Sequence, residues 1–360
     1  MAEPFKNLYN KEYIELLSHN LKKHYRDFKA EDFTNAIFND MWENLELKQR
    51  MRHIALTLKL YLPDDYQESI NILKNTSSDI TIEYGLENMI FQDFVEVYGL
   101  EYFDMSLDAL EHFTKTSSSE FAIRAFILKD SSKTMSKMIE WARSENEHVR
   151  RLASEGCRPR LPWAVALPEF KKDPSKVLKI LEILQDDKSP YVRKSVANNL
   201  NDISKDNPSL VISTTKRWLK QNKEKDKLLK HGCRTLLKQS DKQILELFGY
   251  KDVNNIKVDN FKLQKEVKIG DSLEFSFDIN SNENLGKLRV EYIIEFVRLK
   301  NKSSKKVFMI SDGEFNTKVK HVKKLHSFKP ITTRKYYSGE HKIYLLINGV
   351  EFEYGVFSLK

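Results

Sequence analysis

Residues 146–156 read NEHVRRLASEG, and residues 189–203 read SPYVRKSVANNLNDI. Both stretches contain a valine followed by an arginine, at Val149 and Val192, so the pair recurs after 43 residues. HEAT-type helical pairs repeat at intervals of roughly 40 to 47 residues. Each copy follows a helix-start signal, and we therefore predict that both begin a helix of a repeat array.

The rest of the chain falls into two parts with different hydrophobic periods. In the first part, apolar residues recur at spacings of three and four, as at Ile14, Leu17 and Leu21, which is typical of amphipathic helices. In the second part, β-branched and aromatic residues alternate with polar ones, as they do in strands. We therefore predict a mainly α protein with a HEAT-like helical-repeat solenoid in residues 1–250 and a small all-β sandwich in residues 251–360.

Glycine usage supports this division, because four of the 11 glycines precede Gly249 and seven fall from there onward. The polar, Asn-rich residues 249–262 are predicted to form the linker and the entry to the sandwich. The predicted strands are 272–279, 287–299, 307–310, 341–347 and 351–359.

The net charge of +8 is unevenly distributed. Residues 1–120 carry a net charge of −10, residues 121–240 carry +12, and residues 251–360 carry +7. Such positive segments attract polyanions, and nucleic acid phosphates are the commonest target. The alternative is that these lysines and arginines only form solvent-exposed helix faces.

Several protein classes are disfavoured. The two cysteines are too few for a disulfide framework and lie in no metal-ligand spacing, so we expect no metal and no cofactor. The sequence contains no P-loop, no dinucleotide-binding glycine motif, and no zinc-protease or serine-hydrolase motif. Charged residues interrupt every apolar stretch of the opening MAEPFKNLYNKEYIELL, and no later run approaches the roughly 18 apolar residues of a membrane span. We therefore expect a cytoplasmic protein that does not associate with membranes.

Two acidic residues are candidates for catalysis. On a helix that starts near Pro190, Asp202 lies on a polar flank with Ser195 and Asn199, which could face a groove. Its alternative role is that of a solvated residue in the last helical turn. Glu120 precedes an apolar run, where it could face a ligand or could complete a capping box with Ser117.

The segment CRPRLPW, residues 157–163, combines two prolines with Arg158, Arg160 and Trp163. The prolines end a helix and stiffen the backbone, and the guanidinium groups can bind phosphate oxygens. The indole can stack on a cationic group. The alternative is a connecting loop whose tryptophan fills the core.

Four strings together resemble the AlkC family of bacterial alkylated-base DNA glycosylases. They are the opening AEPFKNLYN, SSSEFAIRAF at 117–126, EHVRRLASEGCRPRLPW at 147–163 and KSPYVRKSVANNLNDISKDNP at 188–208. The C-terminal region is similar to the immunoglobulin-like domain found in one branch of that family. The resemblance implies a solenoid that binds double-stranded DNA containing alkylated bases and excises cationic N3-methylated bases, such as 3-methyladenine and 3-methylcytosine.

The resemblance also implies roles for individual residues. Asp202 and Glu120 match the catalytic positions, and Trp163 would pack on the lesion. A water would attack the sugar and leave an abasic site, with no lysine as nucleophile. The residues expected to bind DNA are Arg124, Arg150, Arg151, Arg158, Arg160, Arg193 and Lys194.

Two alternatives to catalysis stay open at the level of sequence. One is a non-catalytic HEAT-repeat scaffold that binds nucleic acid or a protein, and the other is a sensor of alkylation damage that does not cut. Whether the target base leaves the stack is open too. We expect a bacterial, nucleoid-associated monomer with no obligate protein partner.

Overall fold

The computed structural model describes residues 3–80, 85–299, 302–332 and 334–360. Within these ranges the chain forms sixteen α-helices and two short 3-10 helices, Phe5–Leu8 and Trp42–Asn44. The α-helices, α1 to α16 in chain order, are Lys11–His24, Ala30–Ile37, Leu47–Tyr61, Tyr66–Asp79, Met89–Tyr98, Phe103–Phe113, Ile123–Lys129, Ser131–Trp141, Glu147–Glu155, Pro168–Lys172, Ser175–Leu184, Pro190–Ile203, Pro208–Trp218, Lys223–Gly232, Arg234–Lys238 and Lys242–Leu247. None of these helices combines the length and the apolar character needed to cross a bilayer.

The C-terminal region is a β-sandwich of two sheets. One sheet has the strand order β1-β3-β6, and the other has the order β2-β8-β7-β4-β5. All neighbouring strands are antiparallel except β2 and β8. The strands are β1 Ile256–Leu263, β2 Glu266–Val267, β3 Ser272–Ser281, β4 Gly286–Val297, β5 Ser303–Phe315, β6 Val319–Ser327, β7 Gly339–Ile347 and β8 Val350–Leu359.

The structure confirms the predicted fold class, a helical region followed by a sandwich, and each predicted strand overlaps an observed one. Two longer strands were missed. β1 lies in the segment expected to be a linker, where a bulge between Asp259 and Lys262 interrupts its alternation. β6 has lysine at three of its nine positions, and only Val322 and His326 are fully buried.

The chain divides into two compact units. The first runs to Pro208 and includes Leu219–Gly232, whereas the second contains Ser209–Trp218 and the chain from Cys233 onward. Helices α13, α15 and α16 therefore belong to the same unit as the sandwich. The division into domains at residue 250 stays a prediction.

The predicted repeat is visible in the first unit. Helices α9 and α12 contain the two copies, and they pack against each other. Val149 and Val192 are both fully buried, as expected for the first apolar residue of each copy. Helix α12 packs in turn against α14, so three helices of the array follow one another in a row.

The sandwich core contains a buried histidine. His326 is surrounded by aromatic rings, including those of Phe308 and Phe328, and its Nδ1 atom lies 2.8 Å from the Tyr292 hydroxyl. Burial, assisted by the nearby charge of Arg334, lowers the pKa of His326 to about 4. The folded chain therefore holds this imidazole neutral.

We predict that acidification destabilises the protein through His326. An unfolded histidine has a pKa of about 6.5. Between pH 6.5 and 4 the unfolded state therefore binds more protons than the folded state, and the free energy of unfolding decreases as the pH is lowered. Between pH 7 and 5 this histidine should account for a loss of about 2 kcal/mol in unfolding free energy. Urea unfolding at both pH values should show this difference reduced in His326→Asn and unchanged in His19→Asn, at an exposed position.

Candidate functional site

A cavity of about 560 Å³ lies in the first unit, where the loops before α5 and α7 face α9 and the loop that follows it. The apolar residues that line it include Leu86, Met89 and Phe121. The lining also contains a group of charged and aromatic side chains, which are Glu120, Arg151, Glu155, Arg158, Trp163 and Tyr191.

Glu120 lies in the loop that leads into α7. Its Oε2 atom accepts hydrogen bonds from Arg151 Nη1 at 2.6 Å and from Ser118 Oγ at 2.8 Å. The capping box with Ser117 does not form, because α7 begins only at Ile123 and has no side-chain cap. The charged guanidinium is a stronger donor than a neutral backbone N–H, so the carboxylate is held at the cavity wall.

Arg151 connects two of the cavity's carboxylates. Besides Glu120, it lies 3.7 Å from Glu155 Oε1, and its guanidinium stacks over the Tyr191 ring at 4.9 Å. Burial lowers the pKa of Arg151, but the two carboxylates outweigh burial and raise it above its ordinary value. The side chain is therefore fixed on three sides.

Arg158 continues the chain of ion pairs towards Asp202. Its Nη1 atom donates to Glu155 Oε1 at 2.5 Å, and its Nε atom donates to Asp202 Oδ2 at 2.8 Å. The other oxygen of Asp202 accepts from Lys205 at 3.0 Å. Asp202 is only 2% exposed and does not line the cavity, because Arg158 lies between them.

The polar flank of α12 was expected to face a groove, and that expectation is wrong. Ser195 and Asn199 are buried against α9, where Ser195 Oγ donates to Glu155 Oε2 at 2.6 Å. Asn199 Nδ2 donates to the Ser154 carbonyl at 2.7 Å. These bonds join the two repeats, and the bond from Ser195 also holds the Glu155 carboxylate from the side of α12.

Trp163 does not fill the core. It is 63% exposed at the edge of the cavity, and its backbone has a φ of +62°. A residue with a side chain rarely adopts this left-handed conformation, which costs about 1 kcal/mol or more. An exposed, backbone-strained tryptophan beside a cavity is typical of a binding position.

Arg124 was expected to bind DNA, but it is fully buried in this structure. Its guanidinium donates to three carbonyls, of Gly156 at 3.0 Å, Arg158 at 2.9 Å and Val165 at 2.7 Å. Burial lowers the pKa of Arg124 to about 10. The side chain folds the loop that presents Trp163, which leaves it no access to a phosphate.

Arg150 and Arg193, which were also expected to bind DNA, make equivalent contacts in their two repeats. Arg150 Nη1 donates to the carbonyls of residues 144 and 145, and Arg193 Nη1 donates to those of residues 187 and 188. Both arginines thus reach back to the loop before their own helix. Arg150 also forms a two-point ion pair with Asp187, at 2.6 and 3.0 Å. The recurring arginine is explained by this loop contact.

The remaining basic candidates are more accessible. The Arg160 side chain is 38% exposed and is paired with Asp206 at 2.9 and 2.6 Å. Lys194 is exposed and lines a cleft of about 180 Å³ with Lys227. Arg151, which is half-buried, lines the cavity as well. Arg158 also lines it, although this residue is only 7% exposed and is paired with Glu155 and Asp202.

Sequence reasoning missed Glu155 and Tyr191. Glu155 follows Arg151 by four residues and precedes Arg158 by three, a spacing of opposite charges that could have indicated a series of ion pairs, although Arg158 lies beyond the end of α9. Tyr191 occupies the second helical position of α12 and gave no comparable signal.

Known proteins share both regions of the chain. Residues 107–236 match a family model described as DNA alkylation repair enzyme, and residues 257–360 match the C-terminal Ig-like domain of the uncharacterised protein YhaZ. Over 96% of each chain, the sequence is 44% identical to the uncharacterised protein YhaZ of Bacillus subtilis (strain 168). It is also 32% identical to the alkylpurine DNA glycosylase AlkC of Pseudomonas fluorescens, solved bound to DNA containing an abasic site analog. That match has a TM-score of 0.94 and covers 99% of this chain and 100% of the other.

We predict that Arg124→Met destabilises the protein by about 3 kcal/mol or more, because three loop carbonyls lose a buried charged donor. Arg143→Met is the matched control, since Arg143 is exposed and its side chain donates to one carbonyl, that of Ile139 in the preceding helix. Urea unfolding measures both variants. Equal stability of the two would show that Arg124 does not hold the loop.

Proposed function

The chain belongs to the AlkC-like DNA alkylation repair family, in the branch with a C-terminal immunoglobulin-like domain, and on this basis we propose that it is a monofunctional DNA glycosylase. Its proposed substrates are cationic N3-methylated bases in double-stranded DNA, such as 3-methyladenine and 3-methylcytosine. Hydrolysis of the N-glycosidic bond would leave an abasic site and begin base excision repair.

One observation carries the proposal, namely the presence of an oriented carboxylate and an exposed indole in a single cavity. Glu120 is fixed by Arg151 and Ser118, yet among the described residues no donor binds its second oxygen, Oε1. Trp163 lines the same cavity with most of its ring surface exposed. This pairing suits a ligand with a flat cationic part and a site of developing positive charge.

The chemistry of the proposed substrates explains why a carboxylate and an indole can promote the reaction without a general acid. An N3-methylated base is already positively charged, so it can leave the sugar without a general acid. The main barrier is then the positive charge that develops on the deoxyribose. A carboxylate near C1′ stabilises that charge and can orient the attacking water, as carboxylates do in glycoside cleavage. Glu120 is the residue proposed for this role.

Trp163 is proposed to pack on the lesion. A cation over an indole gains about 1 to 2 kcal/mol when it is desolvated, and a neutral base gains less. The exposed ring therefore favours methylated bases over undamaged ones. The open geometry of the cavity supports contact with either a stacked or an extruded nucleotide.

Asp202 is proposed as the second carboxylate of the mechanism. Since Arg158 and Lys205 occupy both of its oxygens, it would act on the cavity through Arg158 in this structure. Its charge holds Arg158 against Glu155, which keeps the ion-pair chain of the cavity wall complete. Removal of this charge would leave the buried Arg158 guanidinium with only one of its two carboxylate partners, Glu155.

Duplex binding is proposed to rely on three exposed or half-buried cations and on Arg158, which lines the cavity although it is only 7% exposed. Arg151, Arg158, Arg160 and Lys194 supply positive charge at the cavity and beside it, and phosphate contacts of this kind fix the register without reading sequence. Arg124, Arg150 and Arg193 contribute indirectly, since they hold the loops and helices that carry these groups.

We predict that Glu120→Gln lowers the single-turnover rate of base release by about 10² to 10³-fold, because a carboxylate at the developing charge is replaced by a neutral amide. Asp202→Asn should also lose base release. Both variants should bind the methylated duplex as the unaltered protein does, as measured by fluorescence anisotropy.

Glu145→Gln, at an exposed position before α9, is the control and should keep the full rate. Base release is quantified by chromatography of the free bases from methylated DNA. An unchanged rate in Glu120→Gln would remove Glu120 from the mechanism, and a parallel loss of binding would assign it a structural role.

A further inference from the structure

Trp163 needs an external support that the cavity itself does not supply. Its ring is mostly exposed, so little apolar packing fixes it, and its left-handed backbone is intrinsically unfavourable. A side chain in this state could adopt other rotamers, or its peptide could relax to a common conformation. Contacts to the backbone must therefore decide where the indole points.

The loop around Trp163 is anchored from its inner side by Arg124. That guanidinium binds the carbonyls of Gly156, Arg158 and Val165, which lie on both sides of Trp163. It does not contact the carbonyl of Trp163 itself. The centre of the loop is thus left to a second group.

Lys48 of α3 is that second group. Its Nζ atom donates to the Trp163 carbonyl oxygen at 2.9 Å. The same ammonium lies 4.5 Å from the centre of the Phe121 ring, next to Glu120 in the chain. One cation from the acidic first 120 residues therefore contacts both segments that carry the proposed lesion-binding indole and the proposed catalytic carboxylate.

We propose that Lys48 is a positioning residue that holds the Trp163 peptide in its left-handed conformation and so directs the indole over the cavity. The consequence of this positioning for lesion recognition rests on the proposed function. The positioning itself is a property of the free protein. Lys48 would touch neither the lesion nor the reacting atoms.

The exposed position of Lys48 also suits a different role, a direct contact to a DNA phosphate. The two roles predict different behaviour. Loss of a phosphate contact weakens binding to every duplex and reduces its salt dependence, whereas loss of positioning leaves binding to undamaged DNA unchanged. Loss of positioning also changes the environment of Trp163 when no DNA is present.

The test uses the full chain labelled with 5-fluorotryptophan, which gives one fluorine resonance for each of its four tryptophans. Trp163→Phe identifies the resonance of Trp163. In Lys48→Met, this resonance should shift or broaden while the other three stay in place. Lys59→Met is the matched control, because Lys59 lies on the same helix and binds the carbonyls of Pro63 and Asp64 away from the cavity.

The second measurement is the kinetics of base release from methylated DNA. Lys48→Met should lower kcat/KM about fivefold, the size expected for one exposed charged hydrogen bond, with affinity for undamaged duplex within about twofold. Lys48→Arg should restore the rate, since it keeps a charged donor of similar reach. Lys59→Met should behave as the unaltered protein.

An unchanged Trp163 resonance in Lys48→Met would overturn the positioning role. A changed resonance with an unchanged rate would overturn its link to lesion recognition, and weaker binding to undamaged DNA would instead assign Lys48 to a phosphate. A complete absence of base release by the unaltered protein would overturn the proposed glycosylase function, and the fluorine spectra would still decide the positioning.

Discussion

The site depends on one chain of ion pairs, which runs from Glu120 through Arg151, Glu155 and Arg158 to Asp202. Carboxylates and guanidinium groups alternate along it, so each of the three inner charges, Arg151, Glu155 and Arg158, has an opposite charge on either side. Partly buried charges are costly unless they are paired in this way. The chain joins the loop before α7 to helices α9 and α12, and it therefore fixes the geometry of the cavity wall.

The repeat array explains how these residues come together. Because α9 and α12 pack side by side, residues about 43 positions apart face each other, and Ser195 and Asn199 bind the backbone and side chains of the preceding repeat. The recurring arginines, Arg150 and Arg193, secure the loop before each helix. Stability and site geometry thus use the same inter-repeat contacts.

The family resemblance, rather than periodicity, implied the roles of Glu120, Asp202 and Trp163, and these roles stay predictions. Periodicity and the repeated Val-Arg pair were sufficient to predict a helical array followed by a sandwich. They could not predict the direction of a long side chain. An arginine in the first turn of a helix can reach outward to a ligand or can bind a carbonyl of the protein itself, and for Arg124 and Arg150 only the packed structure shows the second outcome. The left-handed backbone of Trp163 has no sequence signal either, since it depends on contacts from elements distant in the chain.

The central claim is that the cavity wall promotes cleavage of the bond between a cationic base and its sugar. The most direct measurement is to incubate the unaltered protein with methylated duplex DNA and to identify the released bases by chromatography. We expect free 3-methyladenine or 3-methylcytosine, an equal number of abasic sites, and strands that stay intact until alkali is added. Tight binding to the methylated duplex without any released base would contradict it.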